Sequence, residues 1–452
     1  MIKRQGRLVF AAITALLLVV AGAAATLAAD APARHQHYPG PVTAAVDLAA
    51  LDQVVGDARV VVFGEDSHFM AAIHNAVPQM FEHLAEKKHF RVFVFEAQWG
   101  LQEAFRDFMA SDRTVLTPRE SFFLDGAFES PDIIKMLVWI REFNRAHPAD
   151  PILITGFQPE QPVTDFRDLW AYVAKAAPRD LTALRASTAL CRAGDAKYLT
   201  DSDFIGEAGK RVRSGKPSYT DEERAGCLAA LDRLDAYLDG HRTALVARAP
   251  EGEREVARLH IHSLATYVGN LTVFMDHSHL LPDAPLAEKV QWEHDAYQAG
   301  DARRFEIFNK LRDVKYGDRK VFFWMHDWHA ARHASELQLL DPHTVGIPRG
   351  TVSVGERLAG EYGPKLVTIG TFVPCDAACT EPPNSLEPAF ARLFGDKTAI
   401  LDLHHPSAAE RGLPLHTPGQ FLANYHKEGF SNFVVDRQFD ALFYVPATGS
   451  TN

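Results

Sequence analysis

Several kinds of chemistry have no signature in this sequence of 452 residues. It contains no GxSxG turn, so a serine nucleophile on a strand-to-helix elbow has no support. HExxH, P-loop and GxGxxG patterns are also absent, which argues against a zincin, a nucleoside triphosphatase and a dinucleotide-binding enzyme. Basic residues are outnumbered, 47 Lys and Arg against 58 Asp and Glu, and form no basic face. Since phosphate binding requires such a face, nucleic acid is excluded as a partner.

Long apolar runs are equally scarce, and the one that stands out lies at the N-terminus. Three basic residues among the first seven precede an apolar run over residues 8–20, and small residues follow through position 29. This order is typical of a secretory signal peptide cleaved within residues 25–29, and the run is short for a membrane span. We therefore expect residues 1–29 to be a signal peptide and the mature protein to be secreted or periplasmic, without a stable membrane span. A retained N-terminal anchor is the alternative.

Cysteine is rare, with four residues in the whole chain. An even number of cysteines in an exported protein favours disulfides. Proximity in the sequence suggests the pairs Cys191 with Cys227 and Cys375 with Cys379. A zinc site is the alternative, but one CxxxC and two distant cysteines lack the paired spacing of structural zinc sites.

Short, unbroken apolar runs that end in polar residues are typical of strands buried on both faces of a parallel sheet. Such runs occupy residues 60–63, 91–95, 152–155, 320–325, 366–372, 398–401 and 441–445. Between them, apolar residues at helical spacing over 73–84, and a helical pattern over 133–144, predict intervening helices. The sequence therefore predicts an α/β fold, with a mostly parallel central sheet flanked by helices.

The pattern changes between residues 163 and 313, where charged, Ala-rich and Leu-rich stretches replace the β-branched runs. About 420 residues remain after signal cleavage, which is more than one hydrophobic core usually serves. We therefore predict that residues 30–162 and 314–452 form the two parts of the α/β domain. Residues 163–313 are predicted to form a helical subdomain, inserted into the sheet or packed over it.

Polar residues directly follow four of the predicted strands. They are Glu65, His68, Glu96, Gln158, His326 and His329. Because ligands of open parallel sheets bind beyond the carboxyl ends of the strands, we expect these side chains to converge. Each one alone has a simpler interpretation as a helix cap or loop residue, but two histidine clusters and two acids at one edge favour a catalytic site. Other histidines, His404 and His405 among them, are interpreted as core or surface residues.

The same segments resemble the erythromycin esterase family. GEDSH at 64–68 is similar to the family's GExxH opening, and FVFEAQWG at 93–100 is similar to its strand ending in a glutamate, 28 residues after the histidine. WIREFN at 139–144, ITGFQ at 154–158 and WMHDWHAARH at 324–333 resemble three further segments. GERLAGEYGPKLVTIGTF and FDALFYV resemble the family's closing elements. These segments follow the family's order from residue 60 to residue 446.

The resemblance implies a hydrolase that cleaves an ester or lactone with histidine-activated water, without a metal or another cofactor. His68 would be the general base, and Glu65 and Glu96 would orient it or stabilise its charge. His326 and His329 would complete the site. An imidazole, with an unperturbed pKa of about 6.5, needs little adjustment to act as a base near neutral pH.

Three positions depart from the family's pattern. Val77 stands where the family has an arginine, Gln158 replaces an aspartate, and Asp327 stands where asparagine is usual. The missing arginine argues against a macrolide substrate, and His74 is a nearby polar group that could take over part of its role. The predicted small-molecule substrate-binding residues are His74, Gln158, Trp99 and Trp328, and Phe122, Phe123 and Phe128 could add an apolar wall.

Two other functions remain open at the level of sequence. His326, His329 and His333 fall near one face of a predicted helix, and imidazoles together with carboxylates suit a divalent ion, so a metal- or haem-binding protein is one alternative. A binding protein that keeps the fold without catalysis is the other, because a fold alone never establishes an activity.

Overall fold

The computed structural model describes residues 45–66, 68, 70–124, 128–159, 162–191, 215–281, 283–339, 350–372, 387–406, 413, 415, 419–422 and 430–446. They belong to two compact units, a helical unit within Gln158–Lys315 and an α/β unit within His37–Phe157 and Tyr316–Asn452. The predicted signal peptide lies outside the described residues, as do Cys375 and Cys379.

The described strands form two sheets. The strands are β1 Val60–Glu65, β2 Phe90–Gln98, β3 Leu153–Gln158, β4 Lys320–His326, β5 Gln338–Leu339, β6 Leu366–Phe372, β7 Ala399–Asp402, β8 Gly419–Leu422, β9 Phe430–Phe433 and β10 Ala441–Tyr444. The large sheet has the order β3-β2-β4-β1-β6-β10-β7, and the small one the order β5-β9-β8. In the large sheet β2, β4, β1, β6 and β10 run parallel, while β7 is antiparallel to β10. The predicted α/β fold is confirmed.

The α-helices of both units follow in chain order. They are α1 Leu48–Val55, α2 Ala71–Lys88, α3 Leu101–Ala104, α4 Arg106–Ala110, α5 Pro118–Phe123, α6 Pro131–Ala146, α7 Pro162–Ala176, α8 Leu181–Ser187, α9 Asp221–Gly240, α10 Arg242–Val246, α11 Glu251–Thr266, α12 Thr272–Leu280, α13 Leu286–Leu311, α14 Asp327–Ala330, α15 Val354–Tyr362, α16 Glu387–Phe394 and α17 Val435–Gln438. Helix α6, predicted over 133–144, begins where the Ser130 hydroxyl accepts the Ile133 amide at 3.3 Å. This bond satisfies one of the amide groups that a helix start leaves without a partner.

The core of the α/β unit lies where α2 and α6 pack on the sheet. The α2 ring of Phe81 meets Phe93 of β2 edge-on, with ring centroids 4.7 Å apart, and Phe93 stacks on Phe322 of β4 at 5.5 Å. All three rings are fully buried. Burial of each such side chain contributes roughly 1.5–3 kcal/mol to the stability of the fold. The polar residues at the strand ends are therefore attached to a closely packed, rigid core.

The helical unit has a core of its own, in which Leu169, Leu231 and Leu264 are fully buried. Helix α9 starts with a reciprocal capping box between Thr220 and Glu223. A disulfide joins Cys191 to Cys227 in α9, as the sequence predicted. None of the described helices combines the length and the apolar character needed to cross a bilayer.

Candidate active site

The carboxyl ends of β1, β2 and β4 bring the predicted catalytic residues of the α/β unit together. In the parallel register of β1 with β4, Glu65 lies opposite His326. On the other side of β4, the pairing of Phe95 with Trp324 places Glu96 beside the same strand end. Three strands from separate parts of the chain therefore present two carboxylates and an imidazole at one edge.

Glu65 and His68 form a hydrogen-bonded pair directly after β1. The Glu65 carboxylate accepts from His68 Nδ1 over 2.5 Å. Burial raises the pKa of Glu65, and the adjacent His68 opposes that shift. An ionised carboxylate only accepts, so with Glu65 in that form Nδ1 carries the proton and the basic lone pair of the neutral ring lies on Nε2.

The indole of Trp324 completes the surroundings of Glu65. Its Nε1–H donates to the second oxygen of Glu65 at 2.8 Å, deep within the sheet. With His68 on one carboxylate oxygen and Trp324 on the other, the carboxylate can hardly rotate. The orientation of the His68 ring is thereby linked to the sheet itself.

Glu96 lies within β2, two residues before the last residue Gln98, and contacts two histidines of the β4–α14 turn. One oxygen accepts from the backbone amide of His326 at 2.7 Å, and the other lies 3.2 Å from His329 Nε2. Glu96 and His329 are both almost wholly buried. Glu96 therefore fixes the path of the chain after β4 and orients the His329 ring.

The imidazole of His326 meets that of His68 edge-on, with ring centroids 5.8 Å apart and planes at 65°. The Trp328 backbone amide donates to His326 Nδ1 at 3.2 Å, so His326 caps the start of α14 with its own ring. A ring nitrogen that accepts a hydrogen bond carries no proton, and the neutral His326 ring therefore presents Nε2–H as a donor. His68 thus offers a basic nitrogen, and His326 offers an N–H donor.

Asp327 ties the ends of β4, β1 and β6 together. Its carboxyl group accepts from the Thr371 amide at 3.1 Å, and the Thr371 hydroxyl donates to the Gly64 carbonyl at 2.5 Å. A Cβ at position 64 would overlap this carboxyl group, which explains the glycine before Glu65. Burial, together with the nearby carboxylates of Asp66 and Glu65, raises the pKa of Asp327 well above its usual value.

Aromatic rings pack against two of the site's histidines, His68 and His329. Phe128 meets the His68 ring at 5.4 Å and Trp324 at 4.8 Å, both edge-on. Trp328 is buried and contacts the His329 ring at 4.7 Å. The rings lower the local polarity, which strengthens each of the hydrogen bonds described above.

The other predicted binding residues lie in several environments. His74 is 1% exposed and its Nε2 lies 2.7 Å from the His68 carbonyl oxygen. Trp99 is buried just after β2, and Gln158 is the buried last residue of β3. The side chains of Phe122 and Phe123 lie outside the described residues. The substrate-binding assignment of these positions stays a prediction.

Trp324 and Thr371 are site residues that the sequence reasoning missed, because both sit inside predicted apolar strands. The signal for Trp324 was its position two residues before His326, since alternate residues of a strand share a face. Buried indoles usually find an acceptor for their N–H group. Thr371 gave no signal, because its partner Gly64 lies 307 positions away in the sequence.

For a metal ion, the described residues contain no group of three or more His, Cys, Asp or Glu side chains in suitable positions. His333, the third histidine of the metal alternative, has a 41% exposed side chain and lies 3.9 Å from Glu336. The metal- or haem-binding alternative and the expectation of no cofactor both stay predictions.

Comparison with known proteins gives consistent results. The Bacillus subtilis (strain 168) protein YbfO, which is named as a hydrolase, is 20% identical over 420 residues, covering 88% of this chain and 86% of its own. A crystal structure of a Bacillus cereus protein superposes with a TM-score of 0.66 at 17% identity, over 95% of this chain and 97% of that chain. An open-conformation mutant of erythromycin esterase EreC superposes with a TM-score of 0.65 at 14% identity, over 90% and 94% of the two chains.

At these identities the two structures share the fold with this chain. The decisive finding is that the family model for erythromycin esterase matches residues 85–448, far more than half of the chain. This protein therefore belongs to the erythromycin esterase family, and a hydrolase-like function agrees with that membership.

Proposed function

We propose that this protein hydrolyses an ester or lactone bond, with His68 as the general base that activates water. The observation that carries the proposal is the 2.5 Å contact between His68 Nδ1 and the Glu65 carboxylate. This contact orients the ring, leaves its lone pair on Nε2 and stabilises the imidazolium that forms when the ring accepts a proton.

In the first step, a water molecule gives its proton to His68 Nε2 while its oxygen bonds to the acyl carbon. The carbonyl π-bond breaks, and its electron pair becomes the oxyanion of a tetrahedral intermediate. In the second step the carbonyl re-forms, the bond to the alkoxy oxygen breaks, and the proton on Nε2 passes to the leaving alcohol. A lactone gives a single ring-opened hydroxy acid by the same steps.

His326 is the proposed donor to the oxyanion. Its Nε2–H belongs to a ring whose centroid lies 5.8 Å from that of His68, so the proposed base and the proposed donor are neighbours. Loss of one such donor in other hydrolases costs roughly 3–4 kcal/mol of transition-state stabilisation. Glu96 supports this role, because it holds both the His326 amide and the His329 ring.

The proposed substrate is a small-molecule ester without a macrolide ring. Position 77, a buried valine of α2, offers no cation to bind the carbonyl oxygen of a substrate, unlike the arginine of the family's pattern. The Cys191–Cys227 disulfide fits the export proposed from residues 1–29, because disulfides persist outside the reducing cytosol.

The test is a panel of aryl esters, acyl esters, lactones and one macrolide, assayed with protein dialysed against a chelator. We expect turnover of at least one ester by the wild type and its loss in His68→Ala, with thermal unfolding midpoints that show both to be folded. His405→Ala is the matched control, because His405 Nδ1 also contacts a strand-end carboxylate, Asp402 at 3.2 Å, yet lies on the surface.

Wild-type activity that survives in a folded His68→Ala variant would reject His68 as the base. Turnover that disappears on chelation and returns with a divalent ion would replace the proposal with metal-assisted hydrolysis. Elemental analysis of the same preparations gives the metal content.

A further inference from the structure

His74 lies in the first turn of α2, six residues after His68, and is almost wholly buried. Helix α2 begins without a side-chain cap, since Met70 occupies the N-cap position and the first turn contains no acidic residue. The chain between β1 and α2, which contains the base, therefore has to be fixed by other contacts. His74 makes one of them.

The Nε2 atom of His74 lies 2.7 Å from the backbone carbonyl oxygen of His68. A carbonyl oxygen only accepts, so His74 must hold its proton on Nε2 and donate it. The ring of His68 is already bound by Glu65 through Nδ1. His68 is thus held at two points, the side chain by Glu65 and the main chain by His74.

Trp324 connects these two contacts. The His74 ring meets the Trp324 indole edge-on, with centroids 5.0 Å apart and planes at 80°. The same indole donates to Glu65 at 2.8 Å. The contacts therefore close a ring that runs through Glu65, His68, His74 and Trp324.

Burial keeps the His74 ring neutral. It lowers the pKa of His74 to about 4, partly offset by the hydrogen bond to His68. The donor proton therefore stays on Nε2 through the pH range in which His68 works, and no second positive charge opposes protonation of the base.

We propose that His74 is a positioning residue, which fixes the main chain of His68 so that the imidazole meets Glu65 and the attacking water in one orientation. This inference rests on the proposed function. It assigns His74 no contact with the substrate, because the ring is 1% exposed. Misplacement of a catalytic group by about 1 Å can cost roughly 100-fold in rate.

The test compares His74→Phe, which fills the space without a donor, with His74→Gln, which keeps an N–H donor. On whichever ester the wild type turns over, we expect kcat to fall roughly 10- to 100-fold in His74→Phe with KM nearly unchanged, and to recover partly in His74→Gln. The matched control is His83→Phe on the same helix, where His83 Nε2 contacts Asp52 at 3.0 Å. This variant should keep the wild-type kcat even where its stability falls.

A second readout needs no activity. The short His68–Glu65 hydrogen bond should give a far-downfield imidazole proton resonance in the wild type, identified by its absence in His68→Ala. We expect that resonance to vanish or shift in His74→Phe and to persist in His83→Phe.

A wild type without esterase activity would refute the proposed function. An active His74→Phe variant with the wild-type kcat and an unchanged resonance would refute this inference. A rise in KM alone would also refute it, in favour of substrate contact.

Discussion

The ends of β1 and β7 carry the same local pattern with different surroundings. Each strand ends in a carboxylate, and a histidine three residues later contacts it through Nδ1. The Glu65–His68 contact is 2.5 Å long with a 17% exposed histidine side chain, whereas the Asp402–His405 contact is 3.2 Å long with a 76% exposed one. The pattern by itself therefore does not make a catalytic pair.

The difference comes from the position of each strand in the sheet. β7 is an edge strand, and Asp402 accepts at short distance only from its own turn, the amides of His404 and His405 at 2.9 and 3.0 Å, while Gln53 of α1 lies farther away at 3.5 Å. β1 has parallel neighbours on both sides, and one of them supplies the Trp324 donor to Glu65. A carboxylate that is hydrogen-bonded mainly within its own turn, such as Asp402, stabilises that turn. A carboxylate that also accepts from a neighbouring strand, such as Glu65, can hold a histidine in one orientation.

The largest effect should come from neutralising Glu65, with the same change at Asp402 as the comparison. We expect Glu65→Gln to lower kcat by roughly 10³- to 10⁴-fold, because an amide cannot stabilise the His68 imidazolium or enforce its tautomer. Asp402→Asn should leave kcat unchanged. Steady-state kinetics on an ester that the wild type turns over measures both, and similar losses in the two variants would mean that the comparison is wrong.

An intermediate effect should appear in the pH dependence of the free energy of unfolding, through the buried histidine His74 of α2. His74 has a pKa of about 4 in the folded protein against 6.5 in the unfolded chain. Between these values the unfolded chain binds a proton that the folded protein does not, so stability is present above pH 6.5 and is lost as the pH falls. We expect a loss on the order of 3 kcal/mol from this residue. Urea unfolding from pH 7 to pH 4 should show a shallower decline in His74→Gln, and equal declines would contradict the burial of His74.

The smallest effect should follow from Trp324→Phe, which keeps an aromatic ring but removes the donor to Glu65. We expect kcat to fall by roughly 10- to 100-fold, since one hydrogen bond to a charged group contributes about 1.5–3 kcal/mol. The matched control is Trp139→Phe in α6, whose indole packs against Phe81 at 6.4 Å. If the two variants lose activity equally, the Trp324–Glu65 bond has no role in orienting the base.

Much of the fold followed from the sequence, because strands buried on both faces need continuous apolar runs. The runs predicted at 60–63 and 366–372 became β1 Val60–Glu65 and β6 Leu366–Phe372. The disulfide between Cys191 and Cys227 followed from their proximity in the sequence. Both inferences use only residues that lie near one another in the sequence.

The candidate site could be predicted only in part from the sequence. The acids and histidines at strand ends could be named, since their positions are set by where the apolar runs stop. Their partners could not, because the Trp324–Glu65 and His326–Glu96 bonds join residues 259 and 230 positions apart. Such contacts depend on strand order and register, which no local pattern encodes.

The sequence by itself determined which residues end the strands and which ring or carboxyl group each one brings. Only the tertiary structure decided that β4 lies between β1 and β2, so that Glu65 and Glu96 each receive a donor from it. The physical reason is that hydrogen bonding and burial depend on distances in space. The same acid–histidine spacing therefore places a largely buried histidine after β1 and an exposed histidine after β7.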